Sequence, residues 1–183
     1  MKKFSIMIVL SLILALSASA CSLHIGVNGT SGSGNVVSET RDVSGFDHVQ
    51  LDGFGQMILT QGDTESLKIE AEDNIISHIT SEVRSGTLYI SWKDQDWNDF
   101  VGPTKPVIFH LNVKNVRGLT VNGAAEIEST SLTTDTLEIQ VNGAAKVKMT
   151  NLVTDSLDAS FSGGTTCELT GKAKDQKVEI SGA

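Results

Sequence analysis

Cys21 is the residue with the plainest chemical assignment. It follows Ala18-Ser19-Ala20, a run of small side chains suited to a leader-peptide cut. Upstream, Met1-Lys2-Lys3 gives a short positive end, and Phe4 to Leu16 is apolar except for Ser5 and Ser11. Such a run is too short to span a bilayer and reads as a secretory signal over residues 1–20. Ala18-Ser19-Ala20-Cys21 resembles a bacterial lipobox, whose cysteine is acylated and becomes the mature amino terminus; Ala18 stands where that motif usually has Leu. Cys21 is therefore the expected lipid-attachment site and a membrane the expected partner, because several acyl chains hold a protein firmly where one holds it marginally. The competing reading is ordinary cleavage before Cys21, which leaves a secreted or periplasmic protein.

Asp94-Gln95-Asp96-Trp97-Asn98-Asp99 sets oxygen ligands at alternating positions, as a calcium loop does. The Gly that an EF-hand needs sixth is replaced by Asp99, and Lys105 takes the closing Glu position, so a solvated acidic loop is the better account. Trp92, Trp97 and Phe100 lie in the same segment. With Asp94 and Asp96 they form the best candidate contact for a glycan or a cell-surface protein, rings stacking on sugars beside carboxylates. The alternative is that these aromatics plug the end of the fold or pack on its side. Asp135 and Asp155 recur after Thr134 and Thr154. Acid–base chemistry needs carboxylates in unlike environments, and these two sit in copies of one turn. The column Asn122, Asn142, Ser162 is likewise expected to be a turn ladder. Cys167 falls in step with Ile127 and Val147 and reads as a small buried core residue; no His lies in the repeats to activate it. His24, His48, His78 and His110 show no metal-ligand spacing. The expectation is a protein that is not an enzyme, without catalytic residue, metal or cofactor.

The 183-residue chain carries 14 basic and 22 acidic residues, a net charge of −8. Loss of Lys2 and Lys3 with the signal leaves 12 basic residues against 22 acidic ones, a net charge of −10. That excludes nucleic acid as a partner, since such binding needs a basic face. Proline is scarce, helical periodicity is weak, and Thr, Val, Ile and Gly abound, so the class is all-β. Ser22 to Asn35, with Gly26, Gly29, Gly32 and Gly34, reads as a flexible tether over residues 21–35, and residues 36–183 as one folded domain.

Within that domain Val121-Asn122-Gly123-Ala124-Ala125 returns unchanged as Val141-Asn142-Gly143-Ala144-Ala145, 20 residues later. Phe161-Ser162-Gly163-Gly164-Thr165 follows at the same spacing, and Ile180-Ser181-Gly182-Ala183 comes 19 residues after that. Leu51-Asp52-Gly53-Phe54-Gly55-Gln56-Met57 is a diverged copy, placing the start of the repeat near Phe46. A fixed period means one structural unit stacked on copies of itself. Asn-Gly between alternating apolar runs is also the strongest hairpin signal. A hairpin at Asn142-Gly143, however, puts Ile139 on one face with Lys146, and Leu137 with Lys148. If the chain bends without reversing, Leu137, Ile139, Val141, Gly143, Ala145, Val147 and Met149 all face inward. Stacked turns, about 4.8 Å apart, then form a parallel β-helix with turns of about 20 residues. Ile127, Val147 and Cys167 pile up, as do Val141, Phe161 and Ile180, Leu132 and Leu152, and Leu137 and Leu157. Outside, Glu126 meets Lys146, and Lys148 meets Glu128 and Glu168; Glu138 above Asp158 is a mismatch. Asp73-Asn74 before Ile75-Ile76 is expected to open one helical turn. The repeat breaks off in mid-turn at Ala183, which suggests a C-terminally truncated solenoid, or an open edge completed by a partner such as a second copy (a homo-oligomer).

Phe46-Asp47-His48-Val49-Gln50-Leu51-Asp52-Gly53-Phe54-Gly55-Gln56, Gln61-Gly62-Asp63, Glu72-Asp73-Asn74 and Gly86-Thr87-Leu88-Tyr89-Ile90 occur in that order. They resemble the opening of the GIN domain, labelled an auto-transporter adhesin head domain. Its repeated Ser-Gly-Ala-Gly-like turns are matched at Asn122-Gly123-Ala124, Asn142-Gly143-Ala144, Ser162-Gly163-Gly164 and Ser181-Gly182-Ala183. The resemblance spans about Val36 to Ala183 and implies a right-handed parallel β-helix on an exported protein of the bacterial cell envelope, often a lipoprotein. It supplies no catalytic residues. The expected function is adhesion or envelope scaffolding by non-covalent contacts. A polysaccharide-acting β-helix enzyme and a self-assembling structural module are the alternatives.

Overall fold

The computed structural model describes residues 31–93 and 102–182. They build an all-β protein whose strands belong to one mixed sheet: β1 (Val36–Arg41), β2 (His48–Gln61), β3 (Ser66–Glu72), β4 (Ile79–Arg84), β5 (Thr87–Trp92), β6 (Ile108–Val113), β7 (Gly118–Ser129), β8 (Leu132–Ser162) and β9 (Thr165–Ser181). A single 3-10 turn, Ile76–His78, sits where Asp73-Asn74 was expected to open one, and it buries Ile75 and Ile76.

The carboxy-terminal half pairs as the repeat requires. β7 runs parallel to β8 with Asn122 beside Asn142, Gly123 beside Gly143 and Ile127 beside Val147, an offset of 20 residues. β8 runs parallel to β9 with Val147 beside Cys167, so no hairpin forms at Asn142-Gly143. The register shifts between Met149 and Leu152, at Asn151, whose φ is +52°. That extra residue is the cause of the 19-residue spacing between Phe161 and Ile180.

The diverged copy is also in register: Leu51 pairs with Val121, Asp52 with Asn122 and Gly53 with Gly123. Its place in the stack differs from a simple coil. Strands β3 to β6 lie beyond the other edge of β2, where β5 and β6 pair with its two halves in parallel. Parallel pairing was expected throughout, yet β1–β3, β3–β6 and β4–β5 are antiparallel. The reversal from β4 to β5 is made at Ser85-Gly86, both with positive φ (+50° and +81°), as a two-residue hairpin of matching twist requires.

The core is a set of inward columns. Val49, Leu119 and Ile139 stack, as do Leu51, Val121 and Val141, and Met57, Ile127 and Val147, all essentially without exposure. Leu132, Leu137, Leu152 and Leu157 are buried too. Each such side chain contributes about 1.5–3 kcal/mol. Cys167 departs from expectation. It stacks on Val147 but is exposed, because β9 is the last strand in the sheet order and no described strand covers it. Its partial burial still pushes the thiol pKa up, away from thiolate reactivity.

The bend between faces is made at one glycine column. Gly53, Gly123 and Gly143 have φ of +130°, +138° and +142°. A Cβ on Gly143 would lie 2.1 Å from the carbonyl oxygen of Gly123, and one on Gly123 would lie 2.0 Å from that of Gly53. The stack there is backbone on backbone, with no room for any side chain.

The other end is fastened by Glu72-Asp73-Asn74. The Glu72 carboxylate is wholly buried and accepts from the Gly34 amide (2.6 Å), the Thr104 amide (2.7 Å), the Thr104 hydroxyl (2.5 Å) and the Lys105 amide (3.3 Å). Asp73 accepts from the Ser33 hydroxyl and Asn35 Nδ2, while Asn74 accepts from the Ser33 amide and donates to the Ser31 carbonyl. A Cβ on Gly32 would collide with the Glu72 carboxylate at 2.0 Å. The last five residues of the expected tether are thus pinned to the body. The Thr104 hydroxyl, followed by the backbone amides, holds the Glu72 pKa below its usual range.

Gly143→Ala is expected to destabilise the fold by about 1–3 kcal/mol from backbone strain alone, with the collision added. Thermal unfolding should show a clear loss, while Ala144→Gly, at an exposed position, should cost under about 1 kcal/mol. Because the folded-state pKa of Glu72 is depressed, its contribution is present above the unfolded value and lost as pH falls through the folded one. Amide exchange at Gly34 and Thr104 should accelerate on acidification below the ordinary glutamate range. Glu72→Gln should make that exchange fast already at neutral pH.

Candidate binding surface

The outward side chains of the stacked segments form straight rows. Asp52, Asn122 and Asn142 are in register, and the amides hand on one direction: Asn142 Nδ2 donates to Asn122 Oδ1 (3.0 Å), and Asn122 Nδ2 donates to Asp52 Oδ1 (2.7 Å). Gln50 Nε2 and the Ser91 hydroxyl also donate to Asp52, so a carboxylate ends the ladder. The next row is Phe54, Ala124 and Ala144, and the next Gln56, Glu126 and Lys146. The small alanines thus stand between an amide row and a charged one, with Phe54 as the bulky member of their row.

Of the three charge pairs read from the stacking two are present, while Glu128 and Lys148 stand in register without an ion pair. Lys146 binds Glu126, and Lys148 Nζ lies 3.8 Å from Glu168. Glu126 holds the Lys146 ammonium above its usual pKa, and Asp155, 2.7 Å away, does the same for Lys174. Glu138 and Asp158 escape their mismatch: Glu138 accepts from Gln140 Nε2, and Asp158 lies 3.9 Å from Lys177. All are exposed pairs, each worth about 0–1 kcal/mol.

Trp92 lies against Phe54. Its ring stacks on Phe54 with centroids 4.0 Å apart, its Nε1 donates to the Phe54 carbonyl (3.1 Å), and it occupies the space above Gly53. It is half-buried and packs on the core, so its larger part is structural. Asp94, Asp96, Trp97 and Phe100, and the lipid-attachment candidate Cys21, fall outside the described residues. Sequence reasoning missed Phe54 as Trp92's partner; the signal available was a bulky residue in a row otherwise filled by Ala124 and Ala144.

The clefts among the described residues are open. One, of about 410 Å³, is lined by His48, Arg117, Glu138, Ser156 and Asp158, with Asp47 Oδ1 2.6 Å from His48 Nδ1. Among the described residues no hydrogen bond joins Ser156 to His48, and no three His, Cys, Asp or Glu side chains converge as a metal needs. Among the described residues no helix is long and apolar enough to cross a membrane.

No curated protein matches the sequence. Among solved structures the chain is similar to a "putative adhesin" of Bacteroides fragilis (17% identity, TM-score 0.64, covering 85% of this chain and 97% of that one). It is similar also to a "putative lipid binding protein" of Parabacteroides distasonis (18%, 0.65, 84% and 76%). A third, a "putative adhesin" of Parabacteroides merdae, gives 14%, 0.57, 85% and 97%. At these identities the likeness is one of fold. None of the three is named as an enzyme. A family model matches residues 45–183, from the segment opening with Phe46 to the last glycine turn, and the chain belongs to that family, described as "Putative auto-transporter adhesin, head GIN domain".

Proposed function

We propose that the protein is an exported, lipid-anchored head that serves adhesion or scaffolding at the bacterial envelope through non-covalent contacts, and that it is not an enzyme. The observation that carries this reading is the rowed outer face. Neighbouring copies of one segment present Asn beside Asn, Ala beside Ala and Lys beside Glu at a fixed spacing, which suits many weak contacts to an extended partner that add by multivalency. Catalysis needs the opposite, a few groups in unlike surroundings. Membership in a family described as adhesin heads supports the same reading.

On this account residues 1–20 leave as the signal, Cys21 takes the lipid, and the segment up to Asn35 runs to the Glu72 clamp. Residues 36–183 are the head. Parallel pairing at intervals of 20 residues supports a right-handed β-helix, with β1, β3 and β4 as an antiparallel cap at the anchored end. Trp97, Phe100, Asp94 and Asp96 beside Trp92 are the proposed contact for a glycan or a cell-surface protein. A lipid surface, suggested by the name of the Parabacteroides distasonis relative, suits a net charge of −10 poorly when the lipids are anionic.

Metabolic labelling with an alkyne fatty acid should mark the wild type and leave Cys21→Ser unlabelled and released from the membrane fraction. Equal membrane retention without label in both would end the lipid reading. On glycan arrays, Trp97→Ala should weaken binding about tenfold or more. Binding that is absent, or unchanged in the variant, removes sugar recognition by that loop.

A further inference from the structure

The bend at the glycine column divides the outer surface by charge. Past it the outward rows are Gln56, Glu126, Lys146 and Ile58, Glu128, Lys148, ionised at four of six places. Before it one row is Tyr89, Gln50, Thr120, Gln140, and the next is Ser91, Asp52, Asn122, Asn142. Seven of these eight side chains are uncharged, and none of the eight is buried. The one carboxylate, Asp52, is occupied by donors from Gln50, Asn122 and Ser91. A chain of net charge −8 thus carries a polar face with almost no free charge.

The amides on this face are held in one orientation. A carboxylate only accepts, so Asp52 fixes which way Asn122 points, and Asn122 Oδ1 then fixes Asn142. Gln50 is held by Asp52, and Gln140 by Glu138. Asn122 and Asn142 each spend one N–H on the ladder and keep the other, with a carbonyl lone pair, for a ligand. The rungs repeat at the strand spacing of about 4.8 Å, close to the advance of one sugar in an extended β-linked hexose chain. We propose that this face binds an uncharged glycan chain lying across the strands, its hydroxyls paired with the fixed donors and acceptors of Asn122, Asn142 and Gln140. A sugar hydroxyl donates and accepts at once, which is what an oriented amide offers in return. A polymer bearing uronic acid or phosphate finds no Lys or Arg in either row. A protein partner finds none of the large anchors that carry such interfaces except Tyr89, and the Arg84 guanidinium lies over that ring, 4.7 Å from its centre. Side chains already held lose little freedom on binding, and repetition adds weak contacts. The inference rests on the reading of the protein as an adhesion head, and it names the ligand class and a face distinct in sequence from the Trp97 segment.

An array of uncharged and uronic-acid-bearing β-linked oligosaccharides of increasing length, probed with the purified chain, tests it. The wild type should bind uncharged chains, more tightly as they lengthen. Its affinity should change less than about twofold between low and high salt, since no ion pair is made. Asn142→Ala and Gln140→Ala, both at exposed positions, should each weaken binding about five- to tenfold while the unfolding temperature stays that of the wild type. Lys146→Ala, on the ionised side of the corner, should leave binding unchanged. The loss from Asn142→Ala should recur in a Trp97→Ala background, as separate contacts require. Binding confined to acidic sugars, an affinity that falls steeply with salt, or full binding by both Asn142→Ala and Gln140→Ala would each overturn the proposal. Beads coated with the chain and mixed with bacterial cells read adhesion independently. A wild type that binds no uncharged glycan while its beads hold cells overturns this ligand and leaves adhesion standing. Glycan bound in the pattern above by beads that hold no cells supports the face and ends the adhesion reading.

Discussion

The structure depends on backbone lying on backbone at one corner. Where Gly53, Gly123 and Gly143 stack, the carbonyl of each presses into the space a Cβ of the next would fill. The chain therefore turns without changing the parity of its side chains. Val141 before the corner and Ala145 after it both face inward, and Asn142 and Ala144 both face out. Any residue other than Gly would part the segments and strain φ together, so the corner and the stacking distance are one constraint.

From that constraint follow both faces of the protein. Inside, equal residues pile into columns, and burial of about 1.5–3 kcal/mol for each large side chain makes the stack stable. Outside, the same register lines up Asn on Asn and Lys on Glu. The outer interactions are individually weak, and several of the pairs are solvent-exposed. They determine what the surface offers, while the inner columns determine whether it forms.

The repeated half was legible because its letters repeat. Val121-Asn122-Gly123 and its copies gave period, parity and register, and even the faint copy at Leu51-Asp52-Gly53 fell where it pairs. The 19-residue step was visible as well, but its cause was not, since Asn151 carries no mark of the register shift it makes. Between Gln61 and Gly118 the periodicity lapses, and with it the strand order. Alternating strands such as Leu67-Lys68-Ile69 show which face is buried, not which neighbour they join or in which direction. Glu72 was hidden for a related reason: nothing local distinguishes a carboxylate buried by amides of residues 34, 104 and 105 from one in solvent. Cys167 was read as core because its column is core, and the burial that ends at the last strand is not written in the column itself.

A repeat also limits where specificity can reside. Positions related by the 20-residue register receive nearly equal surroundings, so a row such as Asn122 and Asn142 can repeat a contact but cannot distinguish one site along it from the next. Discrimination must come from where the pattern breaks. Three breaks stand out among the described residues. Phe54 and Trp92 close the alanine row with an aromatic pair, Glu72 locks the incoming chain against Thr104, and β9 leaves Val178 and Ile180 uncovered. The first puts an aromatic pair at the end of an otherwise small-residue row. The second pins the segment from Ser31 to Asn35 against the body, and the third lies at the opposite end of the sheet order. The register thus keeps three features apart in space: uniform rows along the side, the aromatic pair that ends one of them, and the buried Glu72 carboxylate near the β1 end of the sheet order. The glycine corner lies between the rows and contributes no side chain of its own.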